Sequence, residues 1–324
     1  MKLAIAITAF SSISALGSNK EQIWENYLHA DHAISLSTFN QLVCQLSSQD
    51  KARIKILKNA NKKYKNLDDS VLYGLYVARM AYQQSGWHKD DVFGINMGSS
   101  RGATTLFEKY HADFLTGNKL SPLSSPSTTL GNISSWLAHD LQSESSNIGP
   151  NISHSVTCSS ALHAILNAVA WLQSGLCDKF MVGGSEAPLT EFTVAQMQAL
   201  GIYANNSVDN YPCKALDLNK HSNGMVLGEA AAIACLSINK EHNNALALIV
   251  GMGYATEILQ HNTSISSNAE CMQQAMSMAL KNHDLNDVDI IISHTPGTIQ
   301  GDQAEINAIK AVFSEQLPAI TTNK

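Results

Sequence analysis

The amino-acid sequence predicts an α/β protein in which a sheet is buried between helices. Short apolar runs alternate with amphipathic stretches along the whole chain, the pattern of strands followed by covering helices. Hydrophobic residues make up 44% and charged residues 15% of the 324 residues, with 19 glycines and 7 prolines. That composition is too apolar and too varied for a disordered or collagen-like chain. At about 150 residues per domain, the length accommodates two domains or one large duplicated fold.

The first apolar run, 3–9, reads as a buried strand. Met1, Lys2, the run LAIAITAF and the small residues up to Gly17 also fit a short signal peptide. The alternation Ala-Ile-Ala-Ile-Thr, with no other secretory feature, favours the strand. Residues 51–65 hold seven of the 21 basic residues (Lys51, Arg53, Lys55, Lys58, Lys62, Lys63 and Lys65), which describes either a solvated helix or mobile insertion, or a docking patch for an acidic partner. Helices are expected at 69–85, 103–114 and 130–141, and strands at 92–97 and 151–156. The most legible helix spans 159–174, where Leu162, Ile165, Leu166, Val169 and Leu172 recur at helical spacing and Gly175 supplies the stop. Strands at 180–182, 230–236 and 245–251, a helix at 268–282, a strand at 288–293, a helix at 303–313 and a strand at 319–322 follow. No solenoid period is visible. The last strand is followed by Asn323 and Lys324 with no helix to cover it. A parallel sheet needs both faces covered, so the second half is expected to be incomplete, a fragment of a longer reading frame.

Composition excludes several function classes. Lys and Arg number 21 against 27 Asp and Glu, a net charge of −6, which opposes phosphate backbones. No run approaches the roughly 18 apolar residues that span a bilayer. The six cysteines (44, 158, 177, 213, 235 and 271) form no CxxC pair, so reduced cytoplasmic thiols are the expectation. His29 and His32 share a helical face around Asp31, but no second cluster completes a site, and no metal is expected. GxSxG, GxxxxGK[ST] and HExxH are all absent. Gly251-Met-Gly253 follows a strand yet lacks the third glycine and helix of a dinucleotide site.

Cys158 stands apart from the other thiols. It lies in SVTCSSALHA between a strand and the best helix, where unpaired amides and the positive dipole end favour thiolate over thiol. A small buried core residue is the alternative reading. A nucleophilic thiol needs a partner that moves protons or steadies an oxyanion. His294 ends the strongest late strand, in DVDIIISHTPGTIQGDQAE, and ligand chemistry in open α/β sheets gathers at the carboxyl ends of strands. His154, inside a strand, and His163, on a helix, read as structural.

Three ordered blocks make the chain resemble the condensing enzymes of the thiolase superfamily, specifically the β-ketoacyl-acyl carrier protein synthases. VTCSSALHAILNAVAWLQSGLCDKFMVGGSEAPLT is similar to the family's nucleophile segment, PCKALDLNKHSNGMVLGEAAAIACL to its Leu-Gly-Glu segment with Glu229, and HTPGTIQGDQAE to its His-Gly-Thr loop. The resemblance implies a duplicated, five-layered αβαβα fold, with a nucleophile half at 1–244 and a His-loop half at 245–324. It implies decarboxylative Claisen condensation in fatty-acid, polyketide or aryl-polyene-type synthesis, with substrates carried on the phosphopantetheine of acyl carrier protein and no other cofactor. It also implies a cytoplasmic homodimer, or a heterodimer with another ketosynthase-like subunit. Cys158 matches the nucleophile, His294 the first of two histidines, and Lys324 the lysine five residues before the second. The second histidine and the family's Gly-Phe-Gly turn have no counterpart in the sequence. Asp302 and Glu305 match acidic residues that support the loop, although an Asp opening a helix is also an ordinary cap. Pro296 and Thr298 stand where the family has two pantetheine-holding threonines, so only Thr298 carries over. Arg101, in GSSRGAT, replaces an apolar residue of the acyl pocket, and a buried guanidinium demands a partner or a rerouted pocket. The HTPGT and GSSRGAT variants resemble aryl-polyene or pigment-type synthases more than housekeeping fatty-acid enzymes. Rival readings are a noncatalytic chain-length-determining partner subunit, which retention of Cys158 opposes, and an acyltransferase that does not condense.

Overall fold

The computed structural model describes all residues except 1–3, 30, 131, 143–147, 206–209, 239–243, 259–265 and 315. In chain order the elements are β1 (Ile5–Ile13), α1 (Lys20–Leu28), β2 (Ser35–Leu36), β3 (Leu42–Val43), α2 (Ser48–Ala60), α3 (Asp69–Ser85), β4 (Gly94–Gly98), α4 (Thr104–Leu115), α5 (Asn132–Gln142) and β5 (Asn151–His154). They continue with α6 (Ser160–Gln173), β6 (Lys179–Glu186), α7 (Glu191–Ala199), β7 (Ala230–Ile238), β8 (Ala247–Ile249), α8 (Glu270–Ala279), β9 (Ile290–Ile292), α9 (Ile299–Phe313) and β10 (Ala319–Thr321). The chain forms two compact units: Met1–Ala33, Cys44–Thr190 and Gly228–Ile249 make the first, and Ile34–Val43, Glu191–Leu227 and Val250–Lys324 the second.

The first unit is built on a six-stranded sheet in the order β5-β4-β6-β7-β1-β8. The sheet is mixed rather than parallel. β5, β4 and β6 run parallel, whereas β7 is antiparallel to β6 and β1, and β8 is antiparallel to β1. Period-two alternation sends Ile95 and Met97 of β4, Met181 of β6 and Ile233 and Cys235 of β7 into one core with Leu72, Leu75 and Ala78 of α3 and Ile133 and Leu137 of α5. On the opposite face, the Asn96 side chain donates to the Ala164 carbonyl of α6 at 3.2 Å. Helices thus cover both faces, as a sheet of buried central strands requires.

The first apolar run is a strand, β1, and it extends to Ile13 because its partner β7 continues to Ala230. The basic segment is helical: α2 is followed by a 3-10 turn, Lys62–Asn66. Lys51 lies 3.7 Å from Glu229, Arg53 2.8 Å from Asp50 and Lys58 3.7 Å from Asp69. The α1 and α7 helices carry no clear apolar stripe, and α1 buries no side chain, so periodicity could not announce them. The β8 strand pairs antiparallel with β1 and forms the edge of the first unit's sheet.

In the second unit β9 and β10 pair in parallel. Ile306, Ile309 and Phe313 of α9 form a core with Leu280, Ile291 and Ile320. The α9 helix begins at Ile299, four residues before its expected start, because Thr298 is the N-cap and its hydroxyl accepts the Gly301 amide at 3.2 Å. Among the described residues, no helix is long and apolar enough to cross a membrane.

Candidate active site

The β5 strand ends at His154 and the chain turns within five residues into α6. The Val156 amide donates to Ser160 Oγ at 2.8 Å, and that hydroxyl donates to the Thr157 carbonyl at 2.6 Å. The amides of Ser159 and Ser160 donate back to Val156 and Thr157, each at 3.2 Å. This tight winding forces Thr157 to φ 46°, a left-handed conformation that is costly for a β-branched residue. Cys158, the next residue, is exposed at the tip. The helix start can sit on the sheet because β4 ends in glycine: a Cβ at Gly98 would stand 2.4 Å from the Ser160 carbonyl. Cys158 therefore directly precedes the N-cap of a 14-residue helix, whose positive dipole end suits a developing anion. His154 ties the strand end in place, its ring nitrogens 3.1 Å from Asn96 Oδ1 and from the Ser160 carbonyl. Burial, and then the charge of His163, lower its pKa against a raising hydrogen bond with Ser160.

Arg101 follows β4 in a turn that is stitched to the same region. The Ser99 amide donates to the His154 carbonyl at 3.1 Å, and Ser155 Oγ donates to the Ser100 carbonyl at 3.3 Å. The Ser100 amide donates to the carboxylate of Glu186 at the end of β6. Burial pushes the Glu186 pKa up, and the charge of Arg101 is among the influences that oppose the rise. The arginine thus has an acidic neighbour, and both residues are half-buried rather than enclosed.

In the second unit His294 follows β9. Its amide donates to Glu305 Oε1 at 2.8 Å, and the Thr295 amide donates to Glu305 Oε2 at 2.7 Å. One oxygen of Asp302 accepts the amides of Gly297 at 3.0 Å and Thr298 at 3.1 Å. The Pro296-Gly297 turn needs glycine, with φ 91° at Gly297. Burial is the main influence lowering the His294 pKa, followed by the charge of Lys324, against opposing influences from Glu305 and Asp302. The shift favours the neutral imidazole, a form that can donate one N–H.

The second unit thus brings His294, Thr298, Asp302, Glu305 and Lys324 together around one loop. Cys158 and Arg101 share a region of the first unit. Glu229 is held elsewhere in that unit, accepting from the Leu46 amide and the Tyr73 hydroxyl, both at 2.9 Å. Burial and the neighbouring Glu229 charge push the Tyr73 pKa up. Sequence reasoning missed Lys220, Glu186 and the left-handed Thr157. Glu186 stood in the GGSE turn as a visible acid, whereas Lys220 sits in a polar loop without periodicity. Among the described residues, no group of three or more His, Cys, Asp or Glu side chains is placed to hold a metal ion.

The family model for the β-ketoacyl synthase N-terminal domain matches residues 2–242, and that for the C-terminal domain matches residues 246–324. Nodulation protein E of Rhizobium leguminosarum bv. trifolii is 28% identical over 335 residues, covering 97% of this chain and 79% of that protein. The 3-oxoacyl-[acyl-carrier-protein] synthase 2 of Staphylococcus aureus (strain MRSA252) is 26% identical over 97% of this chain and 78% of its own. Among solved structures, the ishigamide ketosynthase/chain length factor superposes with a TM-score of 0.83 at 18% identity, over 100% of this chain and 81% of that one. A β-ketoacyl synthase from Burkholderia phymatum gives 0.81 at 22% identity, over 100% and 81%.

Proposed function

Because the chain belongs to the β-ketoacyl synthase family and has its thiolase-like α/β fold, we propose that it acts as an acyltransferase performing decarboxylative Claisen condensation, with Cys158 as nucleophile. The observation that carries this reading is the placement of Cys158: an exposed thiol on a strained strand-to-helix turn, against the start of α6. The Cys158 sulfur attacks the acyl thioester on the phosphopantetheine of acyl carrier protein, and the carrier thiol leaves with a proton. First-turn amides of α6 offer the oxyanion its donors. Malonyl-carrier protein then loses carbon dioxide, and the neutral His294 N–H holds the enolate oxygen. The carbanion attacks the acyl-Cys158 carbonyl, Cys158 departs as thiolate, and the 3-oxoacyl thioester remains on the carrier.

In this reading Glu305 and Asp302 support the His294 loop, Lys324 contributes to its electrostatics, and Thr298 offers a hydroxyl to the pantetheine arm. Arg101 borders the acyl pocket, and Glu229 clamps the first unit. The partners are acyl carrier protein and a second ketosynthase-like subunit, identical or not, in the cytoplasm. Solved neighbours include a type II polyketide synthase acyl-carrier protein in complex with its ketosynthase and a ketosynthase in complex with its chain length factor from Xenorhabdus doucetiae. The product class is a fatty-acid, polyketide or aryl-polyene-type chain.

Peptide mapping after brief iodoacetamide treatment tests the assignment, because alkylation follows thiolate fraction and access. Cys158 is expected to react first among the six thiols. Acyl-carrier substrate should then load the wild type but not Cys158→Ala, with carbon dioxide released from malonyl-carrier protein. A Cys158 no more reactive than Cys44 or Cys271 would favour the noncatalytic partner subunit instead.

A further inference from the structure

Lys220 and Asp302 form an ion pair inside the second unit. Their side chains are 2% and 0% exposed, and Nζ lies 2.8 Å from Oδ2. A buried ammonium is costly unless paired and hydrogen-bonded, and Lys220 Nζ also donates to the Asp217 carbonyl at 2.9 Å. The other oxygen of Asp302 takes the amides of Gly297 and Thr298 at 3.0 and 3.1 Å. The same two loops are joined twice more: the Gly224 amide donates to the Gly297 carbonyl at 2.9 Å, and the Ile299 amide donates to Asn223 Oδ1 at 2.9 Å. The Lys220 loop is therefore the backing of the turn that follows His294.

The charged groups that act on His294 are Lys324, Glu305 and Asp302. Cys213, half-buried in the same unit, lies within the influence of Asp302 and Lys324. An uncompensated Asp302 anion would favour the imidazolium form of His294. That form offers an acidic proton to the carbanion released on decarboxylation, and its transfer gives an acetyl thioester instead of a condensed product. A neutral imidazole steadies the oxyanion with a far weaker acid.

We propose that Lys220 is a positioning residue for the condensation: by neutralising Asp302 it holds the Pro296 to Thr298 turn and shields His294 from the full charge of that carboxylate. The proposal rests on the role given to His294 above, and its test reads His294 directly, so that the two can fail separately.

The experiment is an NMR titration of 13C-labelled histidines in the full chain, with His294 assigned from a His294→Asn variant. Lys220→Met should raise the His294 midpoint by about one pH unit, within the range for a nearby carboxylate. Lys220→Arg should titrate as the wild type, and Lys220→Met/Asp302→Asn, which removes both charges, should return the midpoint to its original value. A wild-type midpoint in Lys220→Met, or a double variant that keeps the shift, overturns the proposal. If Lys220→Met does not fold, Lys220→Gln, which also removes the charge, takes its place and is judged by the same criteria. In the activity arm, Lys220→Met should raise the ratio of acetyl- to 3-oxoacyl-carrier product about fivefold, the order expected for a tenfold change in imidazolium fraction per pH unit. A wild type that releases no carbon dioxide would sink the functional reading, while the titration still judges Lys220.

Discussion

The Glu305 carboxylate receives the His294 backbone amide at 2.8 Å and the neighbouring Thr295 amide at 2.7 Å, so an acid on α9 fixes the backbone of the histidine eleven residues before it. These bonds hold the backbone of His294 and take no part of its imidazole.

Glu305→Ala strands both amides in a buried setting, at about 1–3 kcal/mol each. Urea denaturation should show a loss of about 2–4 kcal/mol, and Glu305→Gln, which keeps one acceptor, should lose about half of that. Cys158 alkylation should be unchanged in either variant. Equal stability of Glu305→Ala and wild type would remove Glu305 from the support of the loop.

Thr157 stores strain at φ 46°. The left-handed conformation costs an L-residue about 1–2 kcal/mol, and glycine escapes that cost while giving back part of it as chain entropy. Thr157→Gly should therefore be more stable by about 0.5 kcal/mol, yet load an acyl group onto Cys158 more slowly, because the turn is looser. Thermal melts and acyl-loading rates check both halves. A destabilised variant that loads at the wild-type rate would mean that the turn is neither strained nor functional.

Two histidines make the fold acid-sensitive. Burial lowers the pKa of both His154 and His294. Well above pH 6.5, the unperturbed value, both are neutral in the folded and unfolded states and contribute no pH dependence. As pH falls below that point, the unfolded chain takes up protons before the folded one does, and stability declines until the folded values are passed. Denaturation midpoints should drop between pH 7 and pH 5, and His154→Gln should flatten part of that slope. A slope identical in His154→Gln and wild type would contradict the shift.

The basic helix offers a charge test. Lys51, Arg53 and Lys58 face Glu229, Asp50 and Asp69, whereas Lys55, Lys62 and Lys65 are exposed. If the segment docks an acidic carrier protein, reversing these three to Glu should weaken binding at least tenfold at low salt and remove most of its salt dependence. Unchanged affinity, measured calorimetrically at low ionic strength, would place the docking surface elsewhere.

Much of this protein was legible along the chain because its information is local. Apolar runs marked β1, β4, β5, β7 and β9, helical spacing marked α3 and α6, and the strand-to-helix junction singled out Cys158. His294 was legible for the same reason, as the residue that ends an apolar strand. Where period and apolarity were missing, reading failed: α1 buries nothing, and α7 has no apolar face.

What only the tertiary structure decided are the pairings across long separations. Lys220 meets Asp302 over 82 residues, Tyr73 meets Glu229 over 156 and Ser100 meets Glu186 over 86. The mixed sheet, the placement of β8 and the discontinuous units belong to the same class. Propensity and periodicity report on neighbours within a few residues. A buried charge, by contrast, chooses its counter-ion from whatever folding brings within reach, because in a low-dielectric interior an unpaired charge costs more than any local preference can return.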